Sequence, residues 1–333
     1  MAARAHTIAD STFTPQTDYD TVQVTKAVGD QLRANILKAL AQDSFGVLEL
    51  CGIFSMAQPA MSHHLKILHE AGLVTKRREG TSNFYQRSMA ANAPLLQAIF
   101  GALDAEQINR DISDGISRIL EVRVQQSRHF FANQADALAQ QTTLVCAPEV
   151  YTDAVLELAL SQPDALRDAA LEIGPGGGKL LKALAPFFKQ VTGIDNAAEM
   201  LAKTQPAVVG LDNVTLLERD FVDVSENSTF DLVVAAMVIH HMAAPLQFFQ
   251  QAAKVLKSNG ILVTAELCEH EQAWVKELCG DVRMGFAAEE LSQWANQVGF
   301  VRTHHQFLAQ RNGFRVQVSA FALTPQTSTG TNL

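Results

Sequence analysis

The stretch Leu171-Glu172-Ile173-Gly174-Pro175-Gly176-Gly177-Gly178-Lys179 decides the fold of the second half of the chain. A short apolar run leads into it, and residues 179–185 have the 3.6-residue periodicity of a helix, so we predict a strand, a glycine turn and a helix. Glycines have no Cβ atom and let the backbone approach a ligand closely, while the first N–H groups of a helix can bind a polar or anionic group. Such a turn is typical of nucleotide-binding sites.

A second strand is predicted at residues 191–195, and it ends in the carboxylate of Asp195. This acid follows the first glycine by about 20 residues, the spacing at which a carboxylate meets ribose hydroxyls. The dinucleotide pattern G-x-G-x-x-G is not met, because Lys179 stands where its third glycine would be. A pyrophosphate is therefore not the expected ligand.

Four motifs, in order along the chain, resemble those of the class I S-adenosylmethionine (SAM)-dependent methyltransferases. They are Glu172-x-Gly174-x-Gly176-x-Gly178, the acidic strand end at Asp195, Arg219-Asp220-Phe221 after a third strand, and Phe230-Asp231-Leu-Val-Val as a fourth. The resemblance covers about residues 146–323. It implies a doubly wound, Rossmann-like sheet that binds SAM or S-adenosylhomocysteine (SAH).

The same resemblance implies which residues bind the cofactor. They are Glu172, Gly174, Gly176, Gly178, Asp195, Asn196, Asp220 and Phe221. In the family the glycines line the methionine part, the acid at the end of the second strand holds the ribose hydroxyls, and the Asp-Phe pair borders the adenine. Further strands are predicted at 214–218, 230–236, 260–266, 300–308 and 314–323, with a helix at 245–257.

Catalytic residues are harder to predict, because methyl transfer from a sulfonium depends mainly on holding a nucleophile in line with the methyl group. His240 and His241 follow the fourth strand and are candidates for a general base. The Asn-Pro-Pro-Tyr run of amino-methylating DNA enzymes is not found there, which disfavours methylation of DNA bases. The sequence leaves open whether this half is an active enzyme.

The first half of the chain predicts a helix-turn-helix. A helical pattern begins at Thr25, a second short helix begins at Val47, and a third begins at Gln58 with Pro59 in its first turn. Two strands are expected on either side of residues 79–83. The polar face of the third helix and the basic strand provide candidate DNA contacts, namely Gln58, Ser62, His63, Lys66, Arg77 and Arg78. Gln and Ser can read base edges, and basic side chains neutralise phosphate.

The stretch Gln58-Pro-Ala-Met-Ser-His-His-Leu-Lys-Ile-Leu-His-Glu-Ala-Gly-Leu-Val resembles the ArsR-type winged-helix repressors over about residues 22–92. That family implies a homodimer that places two recognition helices in the major groove of a double-stranded DNA operator. Many members sense metals through a Cys-x-Cys pair, but Cys51 has no partner here. The four cysteines are scattered, so neither a disulfide framework nor a metal site is predicted.

Composition agrees with a DNA-binding segment within an acidic protein. The 333 residues carry a formal net charge of −9, yet residues 21–92 hold eight Lys and Arg against five Asp and Glu. With 47% hydrophobic residues, no long apolar run and no signal-peptide pattern, we expect a cytoplasmic protein without a membrane partner.

The predicted fold is therefore mixed α/β: a winged helix-turn-helix (α+β), a helical linker and a Rossmann-like methyltransferase sheet. The predicted segments are an arm at 1–20, a DNA-binding domain at 21–94, a dimerisation or linker segment at 95–145, a methyltransferase-like domain at 146–323 and a tail at 324–333. The pairing of domains resembles regulators of the SAM cycle, which favours a transcriptional regulator with SAM or SAH as effector. The alternative is an active methyltransferase on a small molecule, with an autoregulatory DNA-binding domain.

Overall fold

The computed structural model describes residues 20–324, except 42, 80–81, 89–92, 162, 164–166 and 226–228. The predicted arm and tail therefore lie outside the described residues, apart from Asp20 and Thr324. We call residues 20–105 the winged-helix half and residues 146–324 the sheet half. A long helix joins them.

The described residues of the winged-helix half form five helices and a small antiparallel sheet in the order β1-β3-β2. Their bounds are α1 Thr21–Val28, α2 Gln31–Ala39, β1 Phe45–Gly46, α3 Val47–Phe54, α4 Gln58–Glu70, β2 Val74–Glu79, β3 Ser82–Arg87 and α5 Pro94–Ala105. Helices α3 and α4 form the helix-turn-helix, and β2 with β3 forms the wing, as the sequence predicts.

The single helical pattern predicted from Thr25 is in fact two helices, and Gly29 and Asp30 lie between them. The side chain of Asp30 accepts a hydrogen bond of 3.0 Å from the backbone N–H of Arg33 and so begins α2. An Asp at this position competes with helix continuation because it satisfies an N–H that has no partner within the helix. The periodicity of apolar residues continues across the break and does not reveal it.

Helix α6, Arg110–Val145, is 36 residues long and belongs to both halves. Its first turns bury Ile112 and Ile116 in the core of the winged-helix half, while Phe130 and Phe131 pack against the core of the sheet half. Within the described part of the chain, no helix is both long enough and apolar enough to cross a membrane.

The sheet half is a seven-stranded sheet in the order β6-β5-β4-β7-β8-β10-β9. Strands β4 to β8 run parallel, and β10 is antiparallel to both of its neighbours. The strands are β4 Ala169–Ile173, β5 Gln190–Asp195, β6 Val214–Glu218, β7 Phe230–Ala236, β8 Leu256–Leu267, β9 Phe300–Ala309 and β10 Arg315–Leu323; the helices are α7 Glu149–Ala159, α8 Lys179–Leu184, α9 Ala198–Val208, α10 Pro245–Val255, α11 Trp274–Cys279 and α12 Ala288–Gln297.

Successive residues of the central strands enter two different cores, because side chains alternate between the faces of a sheet. Leu171 and Val233 pack with α10 and α12 on one face. Ala170 and Val234 pack with α7 and α8 on the other. The strand order reverses between β4 and β7, so a crevice is expected outside their carboxyl ends.

Candidate ligand cavity and nucleic-acid interface

A cavity of about 600 Å³ lies at the carboxyl ends of β4, β5 and β7. Its walls include the loop 174–177, the strand ends at Asp195 and Asp220, and the segment 236–244 after β7. Seven of the eight residues assigned to the cofactor line this cavity. Gly178 is the exception, and it lies behind the loop against α9.

The glycine loop has a backbone that other residues would adopt only under strain. Gly174, Gly176 and Gly178 have φ values of +63°, +52° and +74°. A Cβ atom on Gly174 would lie 2.7 Å from Val238 Cγ2, and one on Gly178 would lie 2.9 Å from Ala207 Cβ. Nothing lies within 4 Å of a Cβ built on Gly176, so at that position the loop faces open space in which a ligand can approach the backbone.

A buried carboxyl group, that of Glu172, and a half-buried one, that of Asp195, flank the loop. Burial raises the pKa of Glu172 to about 8, and among the described residues its Oε2 atom has no hydrogen-bond partner. Burial also raises the pKa of Asp195 to about 6, although its Oδ1 accepts a hydrogen bond of 2.9 Å from the backbone N–H of Ala197. Both groups are placed to bind a ligand that carries a positive charge or hydroxyl groups.

Asp220 closes the cavity at the end of β6. Its Oδ2 accepts hydrogen bonds from Asn196 Nδ2 at 3.3 Å and from Arg128 Nη2 of α6 at 3.1 Å. Phe221 is buried beside it, and its ring centroid lies 5.4 Å from that of Phe248. Asp195, Asn196 and Asp220 thus form a continuous polar edge.

His240 and His241 are brought together with two carboxylates at the end of β7. His240 Nδ1 lies 2.6 Å from Glu266 Oε2. Burial lowers the pKa of His240, but the negative charges of Glu266 and Asp281 outweigh this effect and raise the pKa to about 9. Burial and the charge of His240 hold the pKa of His241 well below its ordinary value.

Helix α6 supplies a wall of the cavity that sequence reasoning missed. Leu120, Val124, Ser127 and Phe131 line it at spacings of four, three and four residues. The spacing itself is visible in the sequence. However, the sequence predicts a dimerisation or linker segment here, and periodicity does not identify what a stripe contacts.

Arg123 lies between these residues on α6 and binds the winged-helix half. Its guanidinium donates to Glu49 Oε1 at 2.8 Å, to Glu49 Oε2 at 2.6 Å and to Asp43 Oδ2 at 2.8 Å. The same guanidinium donates to the carbonyl of Ala243, which lines the cavity. Glu49 in turn accepts from the backbone N–H of Gly46, the residue immediately before α3.

A second arginine reaches Asp43 from the sheet half. Arg283 forms an ion pair with Asp43 and another of 3.0 Å with Glu290, and all three side chains are buried. Asp43 is therefore held by one arginine of α6 and one of the sheet half. The two halves are therefore joined by buried ion pairs. Removing one member of such a pair strongly destabilises the folded protein, because the other charge stays buried without a partner.

Four candidate DNA contacts form one exposed face of α4, namely Gln58, Ser62, His63 and Lys66. The opposite face buries Met61, Leu65 and Leu68 in the core, as expected. This arrangement leaves the polar face of the recognition helix accessible to a DNA groove.

The two wing arginines point in different directions, because successive residues of a strand face opposite sides. Arg78 is exposed. Arg77 instead lies against the sheet half, where it donates to the carbonyl of Gly285 at 3.3 Å and lies 3.7 Å from Glu290 Oε2. In this arrangement Arg77 contacts the sheet half, and its assignment as a DNA contact stays a prediction.

Arg78→Ala is expected to weaken DNA binding about equally for all sequences and to reduce the slope of log affinity against log salt by about 1, because one phosphate contact is lost. Arg77→Ala should leave this slope unchanged. Fluorescence anisotropy over a series of salt concentrations, on an operator and on an unrelated duplex, measures both. Equal reductions of the slope in the two variants would show that Arg77 also contacts DNA.

Glu172→Gln is expected to stabilise the protein more at high pH than at low pH. The difference in free energy of unfolding, variant minus wild type, should be about 2–4 kcal/mol larger at pH 9 than at pH 5. The folded protein keeps the proton of Glu172 up to pH about 8, whereas the ordinary pKa is 4.5. Between these values the folded state binds more protons than the unfolded state, so stability falls as the pH rises. Urea unfolding of both proteins at the two pH values tests this. The exposed Glu157→Gln is the matched control, and a pH dependence equal to wild type in Glu172→Gln would contradict the prediction.

The fold and its two sites define a class of protein, a winged helix-turn-helix regulator joined to a methyltransferase-type sheet. Residues 30–76 match the family described as "Bacterial regulatory protein, arsR family", and residues 171–264 match the one described as "Methyltransferase domain". The chain belongs to the ArsR family of bacterial regulatory proteins and carries a C-terminal methyltransferase domain.

The similar proteins fall into two groups, regulators that match the winged-helix half and methyltransferases that match the sheet half. An uncharacterized HTH-type transcriptional regulator of Methanocaldococcus jannaschii is 47% identical over 64 residues, which cover 19% of this chain and 72% of that protein. The ubiquinone biosynthesis O-methyltransferase of Caulobacter vibrioides is 35% identical over 100 residues, covering 29% of this chain and 40% of the enzyme. Among solved structures, the N-methyltransferase NodS from Bradyrhizobium japonicum in complex with SAH superposes on this chain with a TM-score of 0.49. The match covers 60% of this chain and 98% of NodS, with 19% sequence identity. The chain spans most of the regulator but less than half of the curated methyltransferase.

Proposed function

We propose that this protein is a transcriptional regulator that binds double-stranded DNA as a homodimer in the cytoplasm. SAM or SAH, bound in the cavity of the sheet half, is its effector. The observation that carries this proposal is the position of helix α6, which lines the cavity and holds the helix-turn-helix through Arg123.

The residues of the cavity fit such a ligand. SAM and SAH carry an ammonium group, and Glu172 Oε2 is a buried acceptor with no partner among the residues that the structure describes. A positive charge next to this carboxyl would favour its ionised form. The open space at Gly176 accommodates the methionine part, and Asp195 supplies a carboxylate for the ribose hydroxyls.

A ligand changes DNA affinity only if it binds the DNA-competent arrangement better or worse than the other one. A route for such a difference starts at Ser127 and Ala243, which both line the cavity. Arg123 contacts the Ala243 carbonyl and, through Glu49, the start of α3. Helix α3 leads directly into the recognition helix α4. A shift of α6 against segment 239–244 would thus move the helix-turn-helix.

The test measures binding to DNA from upstream of the protein's own gene by fluorescence anisotropy. The measurement is made without ligand, with SAM and with SAH. We expect one ligand to change the affinity at least tenfold, a coupling free energy of about 1.4 kcal/mol. Isothermal titration calorimetry establishes that each ligand binds. Binding of both ligands without any change in DNA affinity would reject the effector role and favour an active methyltransferase. Sedimentation at the same concentrations tests the homodimer.

A further inference from the structure

A cluster of two histidines and one aspartate lies in the cavity wall, at the end of β7 and after α11. Asp281 Oδ1 lies 3.9 Å from His240 Nε2 and 3.8 Å from His241 Nδ1. Across the cluster one potential ligand atom from each residue lies within 4.8 Å of the others. Ligand atoms at bond lengths of about 2.0–2.2 Å around a tetrahedral ion lie roughly 3.3–3.6 Å apart, so the two ring nitrogens and Asp281 Oδ1 must move closer together when an ion binds.

Glu266 holds His240 in the orientation that a metal ligand needs. Its Oε2 lies 2.6 Å from His240 Nδ1, while its Oε1 accepts hydrogen bonds from the backbone N–H groups of Val238 at 3.0 Å and Ile239 at 2.6 Å. A carboxylate that fixes one ring nitrogen leaves the other nitrogen directed at the metal, as is common for metal-binding histidines. In this cluster the other nitrogen is Nε2, the atom that faces Asp281.

Asp281 provides a second, independent observation. Its side chain is 2% exposed, and its Oδ2 has no hydrogen-bond partner within the described part of the chain. A buried polar atom without a partner costs about 1–3 kcal/mol, so its presence calls for a ligand. The loop is fixed, because the backbone N–H groups of Val282 and Arg283 both donate to the carbonyl of His240 at 3.0 Å.

We propose that His240, His241 and Asp281 form a site for a divalent transition metal ion, with Glu266 as its supporting carboxylate. Two imidazoles and one carboxylate suit Zn²⁺ and Co²⁺, whereas Mg²⁺ and Ca²⁺ prefer oxygen ligands alone. All three residues line the cavity, which leaves the fourth position of the ion to water or to a small molecule in the cavity. His241 gives up its contact of 3.2 Å with the carbonyl of Gly280 when Nδ1 binds the ion.

The sequence contains little signal for this site. The histidines are adjacent, but Asp281 follows 40 residues later and Glu266 belongs to a different strand. Familiar metal-binding motifs combine cysteines and histidines at short fixed spacings, and the prediction of no metal site follows from their absence. The proposal is independent of the effector role, because metal binding and SAH binding are measured separately.

The test is a titration of the full-length, EDTA-treated protein with Co²⁺. Binding is monitored by the visible absorption of four-coordinate Co²⁺. We expect one ion per chain, displaced by Zn²⁺. Asp281→Asn and His241→Ala should abolish the absorption, and Glu266→Gln should weaken binding by about 10–100-fold. His305→Gln on β9, where the histidine contacts Ser319 outside the cavity, is the matched control and should bind normally.

Unchanged Co²⁺ affinity in Asp281→Asn, or absence of the absorption in the wild-type protein, would overturn the proposal. Zinc X-ray absorption on the wild-type protein gives a result that does not depend on whether the variants fold. Two imidazoles with oxygen in the first shell support the site. A shell containing sulfur would place the ion at a cysteine and reject it.

Discussion

Arg123→Met is expected to lower the free energy of unfolding by about 3–5 kcal/mol and to remove the response of DNA binding to the cavity ligand. The arginine is 6% exposed and makes four hydrogen bonds to the winged-helix half, three of them to the carboxylates of Asp43 and Glu49. Methionine fills similar space but removes the guanidinium of Arg123 from these acceptors. Asp43 keeps Arg283, whereas Glu49 loses both of its contacts with Arg123.

Two measurements separate stability from coupling. Urea unfolding gives the stability loss, and anisotropy with and without ligand at a temperature where the variant is folded gives the response. The exposed Arg118→Met on the same helix is the matched control and should change both by little. Wild-type stability would refute the buried-charge argument, and a full ligand response in folded Arg123→Met would refute the proposed route through α6.

Asp195→Ala is expected to weaken SAM and SAH binding by roughly 100-fold, or about 3 kcal/mol, because two hydrogen bonds from ribose hydroxyls to a charged acceptor are lost. DNA binding without ligand should be unchanged, since Asp195 lies in the cavity wall and not in the winged-helix half. Calorimetry measures the first effect and anisotropy the second.

The pH dependence adds a sharper test of the same residue. Because burial raises the pKa of Asp195 to about 6, its carboxylate is ionised above that pH and protonated below it. Ligand affinity of the wild-type protein should therefore rise as the pH increases through 6, and Asp195→Asn should lose this dependence. The exposed Asp212→Ala serves as control. Equal losses of ligand binding and DNA binding in Asp195→Ala would indicate a general folding defect and count against the effector proposal.

The sequence predicts the sheet well because its central strands are buried on both faces. Runs such as residues 232–236 are apolar throughout, and short apolar runs bounded by turns indicate such strands. The glycine loop is equally visible, since its positive φ values restrict the choice of residue. The exposed and buried faces of α4 follow directly from helical periodicity.

Contacts between distant segments could not be predicted in the same way. Arg77 and Arg78 look alike in sequence, and only the docking of the wing on the sheet half distinguishes them. Arg123 is one of several arginines on a polar helix, and the two carboxylates that it contacts lie 74 and 80 residues away. Without an observed contact, such residues read as solvated charges.

The shared helix α6 also determines how the protein unfolds. Ile112 and Ile116 complete one core and Phe130 and Phe131 another, so neither half retains its full core without this helix. Unfolding of the whole of α6 would therefore expose apolar surface of both cores at once. Heat should therefore melt the two halves together in a single cooperative transition in calorimetry, although chains built from two domains often melt in two steps.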